Sequence, residues 1–173
     1  MLIRGFTLVE MLVVLAVLGV LLAIGIPGYQ GWLANHYVRT SARELFAGLV
    51  LARSEAVRRN SPVEFVLTDS APIAQSVSSA SPDAGGSAFI VREAAAGGYV
   101  FIRGATSSTG RVSVSASSPI ARFTGLGTMA SPAFLSIDVT HPSSSQPARI
   151  VAFSGGMIRL CNPSAKAGDP AAC

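Results

Sequence analysis

The sequence predicts an α+β protein in which one long N-terminal helix, wholly apolar and then amphipathic, packs on an antiparallel β-rich domain. Three observations lead there. Residues 6–26 hold only Thr7 and Glu10 as polar side chains. Residues 38–56 place small or apolar side chains at a 4-3-4-3-4 spacing, the period of a helix face. From residue 63 the pattern changes to short runs, several of them alternating, with Gly, Pro and Ser in every gap. Only 13% of the 173 residues are charged, against about 25% in ordinary soluble domains. The stretch beyond Arg39 suffices for one modest core, which excludes a large multidomain enzyme. A net charge of +4 is carried by basic residues scattered without a run, so the chain lacks the footprint of a nucleic-acid-binding protein.

The first element is a membrane span over residues 6–26, long enough to cross a hydrocarbon core. A cleaved secretory signal is the rival, and Ala23-Ile24-Gly25 offers a small-x-small triplet. Against it, the apolar run is longer than a signal core, a carboxylate sits inside it, and helical periodicity resumes beyond Pro27. Arg4 precedes the span and no Lys or Arg follows until Arg39, so the N-terminus stays in the cytoplasm and the C-terminal domain lies outside. Glu10 is costly within such a stretch. Either it snorkels at headgroup depth or it meets a positive charge on another subunit.

The second element, residues 27–60, continues the helix. Val38, Ala42, Leu45, Leu49, Ala52 and Ala56 form its stripe, widened by Phe46 and Val57. Glu55 and Arg59 stand at i,i+4, Arg58 and Arg59 suit the negative helix end, and Asn60-Ser61-Pro62 stops it. Pro27, with glycines around it, is expected to kink or locally melt the helix. Residues 61–173 then form the β-rich domain, with strands expected at 63–67, 88–92, 99–103, 111–115, 120–123, 134–139 and 149–153. Ser154-Gly155-Gly156 reads as the turn of a hairpin to 157–160. Residues 68–87, rich in Ser, Ala, Pro and Gly, read as a long mobile loop.

Arg4-Gly5-Phe6-Thr7-Leu8-Val9-Glu10, followed by an unbroken apolar helix, Pro27 and an amphipathic helix, closely resembles the N-terminus of type IV pilins and pseudopilins. The resemblance implies a leader of residues 1–5, cut after Gly5 by a prepilin peptidase, and methylation of the new terminus at Phe6. It implies that Glu10 pairs with a neighbour's terminal amine as the subunit enters a filament. Leu49-Val-Leu-Ala-Arg53-Ser-Glu-Ala-Val-Arg58-Arg59 and the late Gly-x-x-Arg-Leu-Cys run at 156–161 are similar to the GspH/FimT group of minor pseudopilins and minor pilins. A pilin-like fold, a single pass through the bacterial inner membrane, a periplasmic domain, and partnership with other pilins and an inner-membrane assembly platform are then expected. The filament would be a type IV pilus or a type II secretion pseudopilus. A domain exported in this way is oxidised, so Cys161 and Cys173, the two cysteines of the chain, are expected to pair.

No constellation for catalysis, metal or cofactor is read from the chain. Gly125-Leu-Gly-Thr-Met-Ala130 has dinucleotide-binding spacing, but Ser131-Pro132 and a strand-like run follow it where a helix must open, so it reads as a hairpin turn. His36 and His141 have no metal-ligand partner at useful spacing. Relatives of the FimT type that bind DNA carry a C-terminal Gly-Arg-x-Arg motif. Here the aligned residues are Gly156-Met157-Ile158-Arg159, which lack the first arginine. Arg149, Arg159 and Lys166 remain as a small basic patch with weak DNA binding as its function, against the simpler reading of three solvated charges.

Overall fold

In a computed structural model, residues 7–95, 97–107, 111–166 and 168–173 are described, with residues 23–28 as backbone only. One helix, α1 (Leu8–Arg59), spans 52 residues. Thr7 caps its start, its Oγ1 accepting from the Glu10 amide, and Asn60 ends it in the left-handed region at φ 49°. The helical backbone continues through Pro27, so the expected local melting does not occur. A proline removes one i→i−4 bond, and the turns on both sides hold the rest.

Ala34, Val38, Ala42, Leu45, Leu49, Ala52 and Ala56 are all buried, along the stripe the periodicity predicts. Phe46 packs at its margin, whereas Val57 is 51% exposed and lies outside it. Nine strands follow: β1 (Val63–Thr68), β2 (Ala88–Ala95), β3 (Gly98–Thr106), β4 (Ser113–Ala116), β5 (Ile120–Phe123), β6 (Met129–Ser131), β7 (Phe134–Thr140), β8 (Ala148–Phe153) and β9 (Ile158–Cys161). They form two antiparallel sheets, ordered β3-β2-β1-β5-β6 and β4-β7-β8-β9. The helix contacts β1, β2 and β5 of the first and β7, β8 and β9 of the second. Its stripe thus meets Phe65, Phe89 and Phe123 together with Leu135, Ile137 and Ile150 in one core cluster. Strand β6 escapes sequence reading because three residues between Gly127 and Pro132 show no period.

Residues 68–87 are tied to the sheet instead of hanging free. The Asp83 amide donates to the Leu67 carbonyl at 2.9 Å, Thr68 Oγ1 to the Ser81 carbonyl at 2.7 Å, and Asp69 Oδ1 accepts from the Ser87 amide and hydroxyl. Every residue of β1 is consequently buried. On its outer face Glu64, 1% exposed, lies between its cross-strand partners Arg92 and Arg122 and accepts from both. Arg92 also donates to the Val77 carbonyl and lies 3.6 Å from the Tyr99 ring centroid. A buried carboxylate is tolerable here because charge and hydrogen bonds are both satisfied.

The sheets are joined where two turns meet the helix. The Met129 amide, in β6, donates to the Ser154 carbonyl at 2.9 Å. Arg53 Nε donates to the Gly127 carbonyl at 3.0 Å. Gly127 and Gly156 have φ of 76° and 80°, and a Cβ on Gly156 would run into the Gly127 carbonyl oxygen that Arg53 holds. Gly156→Ala should therefore cost about 2–4 kcal/mol, left-handed strain and overpacking together. Chemical unfolding of the detergent-solubilised protein reads this, and a loss within experimental error would show that the turns do not lock the sheets.

At the helix end Glu55 accepts from Arg58 Nη2 at 2.6 Å and Arg59 Nε at 2.8 Å, and Arg59 Nη1 reaches Glu93 of β2 at 2.7 Å. Hydrogen bonds from Arg58 and then Arg59 pull the Glu55 pKa from 4.5 down to about 2. Glu93 is lowered by the Ser61 hydroxyl and then by Arg59. A carboxylate depressed on folding contributes stability above its unfolded pKa and loses it as pH falls through the folded one. The unfolding midpoint should thus stay level from about pH 7 to 5 and drop between about 4.5 and 2. Glu55→Gln should be less stable at neutral pH and show a shallower acid drop; an unchanged profile would mean that the pairs are too solvated to matter.

Candidate functional site

The N-terminal end is built on the Thr7 cap. With Thr7 at the cap, Glu10 falls in the first turn, where unsatisfied amides and the helix dipole favour a negative charge. Thr7-x-x-Glu10 ahead of an apolar run is the spacing of a capping box, a signal that sequence reading passed over. The Glu10 side chain is exposed and has no ion-pair partner among the described residues. So is every side chain from residue 7 to residue 22, including Leu8, Leu12, Leu15 and Leu22, and none of the described residues buries them. No helix among the described residues is long and apolar enough to cross a membrane. The expected span extends into residues 23–26, whose side chains lie outside that description, as do Gly5 and Phe6.

The C-terminal end gathers the cysteines and the expected basic residues. Cys161 of β9 and Cys173 form a disulfide, with Cα atoms 5.0 Å apart, and a bridge between Asn162 and Ala172 extends the pairing. Arg149 faces Cys161 and Arg159 faces Val151, so both arginines share one face of the second sheet. Arg149, however, donates to both carboxylate oxygens of Asp138 at 2.6 and 3.1 Å, the ion pair that raises its pKa. Its charge is thereby paired where the patch required it free. Arg159 and Lys166 are exposed without an ion-pair partner among the described residues, and Met157, exposed, occupies the place of the absent arginine.

The remaining motifs have structural work. Gly125–Ala130 holds the β5–β6 turn, closed by the Thr124 amide on the Thr128 carbonyl, and runs on into β6, so no helix opens there. His141 Nδ1 accepts from the Ser143 amide in a turn that docks on the helix, where Asn35 Oδ1 accepts from Ser144 Oγ and the Ser145 amide. No group of three His, Cys, Asp or Glu placed to hold a metal occurs among the described residues. A groove of about 500 Å³ runs between Glu44, Gly48 and Leu51 of the helix and Phe89 and Arg103 of the sheet. Its two charged side chains, Glu44 and Arg103, are of opposite sign. Sequence reading gave Arg53 and Glu64 no role of their own; Glu64 is a charge inside an otherwise apolar run, and that was its signal, whereas Arg53 sits in a polar stretch that carries none.

Known proteins match in two blocks. The model of the type II transport protein GspH matches residues 41–167, and that of the prokaryotic N-terminal methylation motif matches residues 1–26. The type IV major α-pilin of Moraxella bovis is 33% identical over 60 residues, 35% of this chain and 38% of that protein. A fimbrial protein of Pseudomonas aeruginosa is 41% identical over 51 residues, 30% of this chain and 33% of its own length. The chain thus spans little more than a third of these relatives. Among solved structures, the type IV minor pilin FimU of P. aeruginosa superposes with a TM-score of 0.56 at 19% identity, covering 73% of this chain and 98% of that one. The minor pseudopilin EpsH of Vibrio cholerae gives 0.54 at 12% identity, covering 74% and 98%. These two share the fold of a helix packed on antiparallel sheets. With the GspH model running from the middle of the helix stripe into the disulfide loop, the chain belongs to the GspH family of minor pilins and pseudopilins.

Proposed function

We propose that this protein is a filament subunit, cut after Gly5, methylated on Phe6 and held in the bacterial inner membrane by residues 6–26 until an assembly platform draws it into a type IV pilus or type II secretion pseudopilus. The single observation that carries the reading is the bare half of α1, sixteen consecutive exposed residues at 7–22 ahead of a half packed along one face. Such a surface needs lipid before assembly and neighbouring helices after it. Glu10, in the first turn and without an ion-pair partner among the described residues, offers its carboxylate to the terminal amine of another subunit. The methylation-motif match over residues 1–26 supports the cut and the modification. The β-rich domain, with its disulfide, lies on the periplasmic side, and its role is structural.

Processing is read by intact-mass and peptide analysis of the protein purified from membranes, which should show an N-methylated Phe6. A terminus at Ile26 would mean that the segment is a cleaved signal. Glu10→Ala should make the isolated membrane helix partition better, by up to about 2.5–3.5 kcal/mol if the residue is central and less near an interface. It should at the same time lower the filament-bound fraction by about tenfold or more, the worth of a charge-assisted hydrogen bond. Subunit level in the membrane stays normal. Filament entry equal to wild type would show that the carboxylate only snorkels.

A further inference from the structure

Tyr29, Trp32 and His36 stand on one side of α1, three and four residues apart, and their rings stack in series. The Tyr29–Trp32 centroids are 5.9 Å apart and the Trp32–His36 centroids 6.0 Å, with interplanar angles of 29° and 13°. Tyr29 and Trp32 are 62% and 61% exposed, and His36 is exposed as well. On the helix these positions lie roughly opposite the stripe of Ala34, Val38 and Ala42 that faces the domain. The domain therefore does not cover them.

Two facts about their surroundings identify what does. No Asp, Glu, Lys or Arg occurs between Glu10 and Arg39, so this part of the helix carries no fixed charge to be desolvated. Yet Gln30, Asn35 and His36 make it too polar for a hydrocarbon core. At 1.5 Å per residue Tyr29 and Trp32 stand about 4.5 and 9 Å beyond Ile26, and helical side chains lean back toward the N-terminus, which brings the rings lower. The headgroup layer is about 5–8 Å deep on each side of the core. Tyr and Trp, with an apolar body and a polar tip, prefer that layer to either neighbour.

We propose that Tyr29 and Trp32, with His36 stacked on Trp32 from the water side, form an aromatic collar that binds the lipid headgroup layer and sets the depth at which the domain sits before assembly. The turn of residues 141–147 docks beside the rings at the same level, where Gln146 lines one hollow with Trp32, Asn35, His36 and Arg39. Ser144 Oγ and the Ser145 amide donate to Asn35, Arg39 Nη2 donates to Gln146 Oε1, and the Ser143 carbonyl lies 3.8 Å from where a Cβ on Gly31 would be. That turn contains three serines and no acidic residue, so it can rest on headgroups without repulsion. Rings and hydroxyls side by side thus hold the domain on the bilayer surface.

The inference rests on the membrane reading of residues 6–26, and the test separates the two. Trp32 is the single tryptophan, so fluorescence of the full-length protein reads this position alone. The protein is reconstituted into phosphatidylethanolamine–phosphatidylglycerol vesicles and isolated by flotation. Trp32 emission should be quenched more by lipids brominated near the carbonyl end of the acyl chain than by lipids brominated near the methyl end. It should also be shielded from aqueous iodide. Tyr29→Ser together with His36→Ser should shift the emission to longer wavelength and raise iodide quenching; no change would show that the rings do not act as a unit, and would overturn the collar. A protein that floats with its vesicles but has Trp32 open to iodide and untouched by bromine overturns the collar and leaves the span intact. Strongest quenching from the methyl end places the ring in hydrocarbon and overturns it too. Failure to float removes the span itself, and the collar with it.

Discussion

Both sheets and the membrane-proximal end depend on one constraint, the burial of a narrow stripe of small side chains on α1. Ala34, Ala42, Ala52 and Ala56 let strands approach closely, while Leu45 and Leu49 fill the space between the two sheets. Because one stripe serves β1, β2 and β5 on one flank and β7, β8 and β9 on the other, neither sheet has an independent core. Burying a Leu side chain is worth about 1.5–3 kcal/mol, so the helix holds the domain together at least as much as the domain anchors the helix. The other consequence is functional. Any force on the bare half of the helix is passed along a single rigid element into the middle of the domain.

Charges near that core act as fasteners. Arg53 crosses from the helix to the Gly127 carbonyl and ties the turn that joins the sheets. Glu64 draws Arg92 and Arg122 across three strands, and Arg92 in turn holds the segment 68–87 by the Val77 carbonyl. Removing one partner of such a buried set costs about 3–5 kcal/mol, because the remaining charge is stranded. The Glu55–Arg59–Glu93 set plays the same part at the helix end, more exposed and so weaker. The disulfide, closing a short loop at the last strand, adds about 2–3 kcal/mol in the chain-entropy account. Together these fix the domain at both ends of the stripe while leaving residues 7–22 uncommitted.

That asymmetry fits a molecule with two successive environments. Among the described residues the uncovered half has no internal partner and the Glu10 carboxylate no ion pair, so under the proposed function neither is given up on passing from lipid to a bundle of like helices. Arg149, by contrast, is already held by Asp138, which removes it from any surface role and leaves the C-terminal end only weakly basic. The collar at Tyr29, Trp32 and His36 lies at the junction between these regimes.

The sequence by itself determined the elements whose signal is local. The apolar and amphipathic halves of the helix, its Asn60 stop, the Glu55–Arg59 pair, most strands and the Gly127 and Gly156 turns follow from period, caps and backbone preference within a few residues. Val57 was misplaced because a stripe drawn from spacing has no sharp edge; only the packed sheet shows where it ends. The tertiary structure alone decided what depended on distant partners. Residues 68–87 look loose by composition, yet they are tied to β1, and the three-residue β6 exists only because β5 and the Ser154 carbonyl complete its hydrogen bonds. Glu64 reads as a solvent-facing residue until Arg92 and Arg122 arrive from 28 and 58 residues away. Local sequence sets dihedral preference and hydrophobic period, whereas the burial of a polar group is settled only by the long-range contacts that satisfy it.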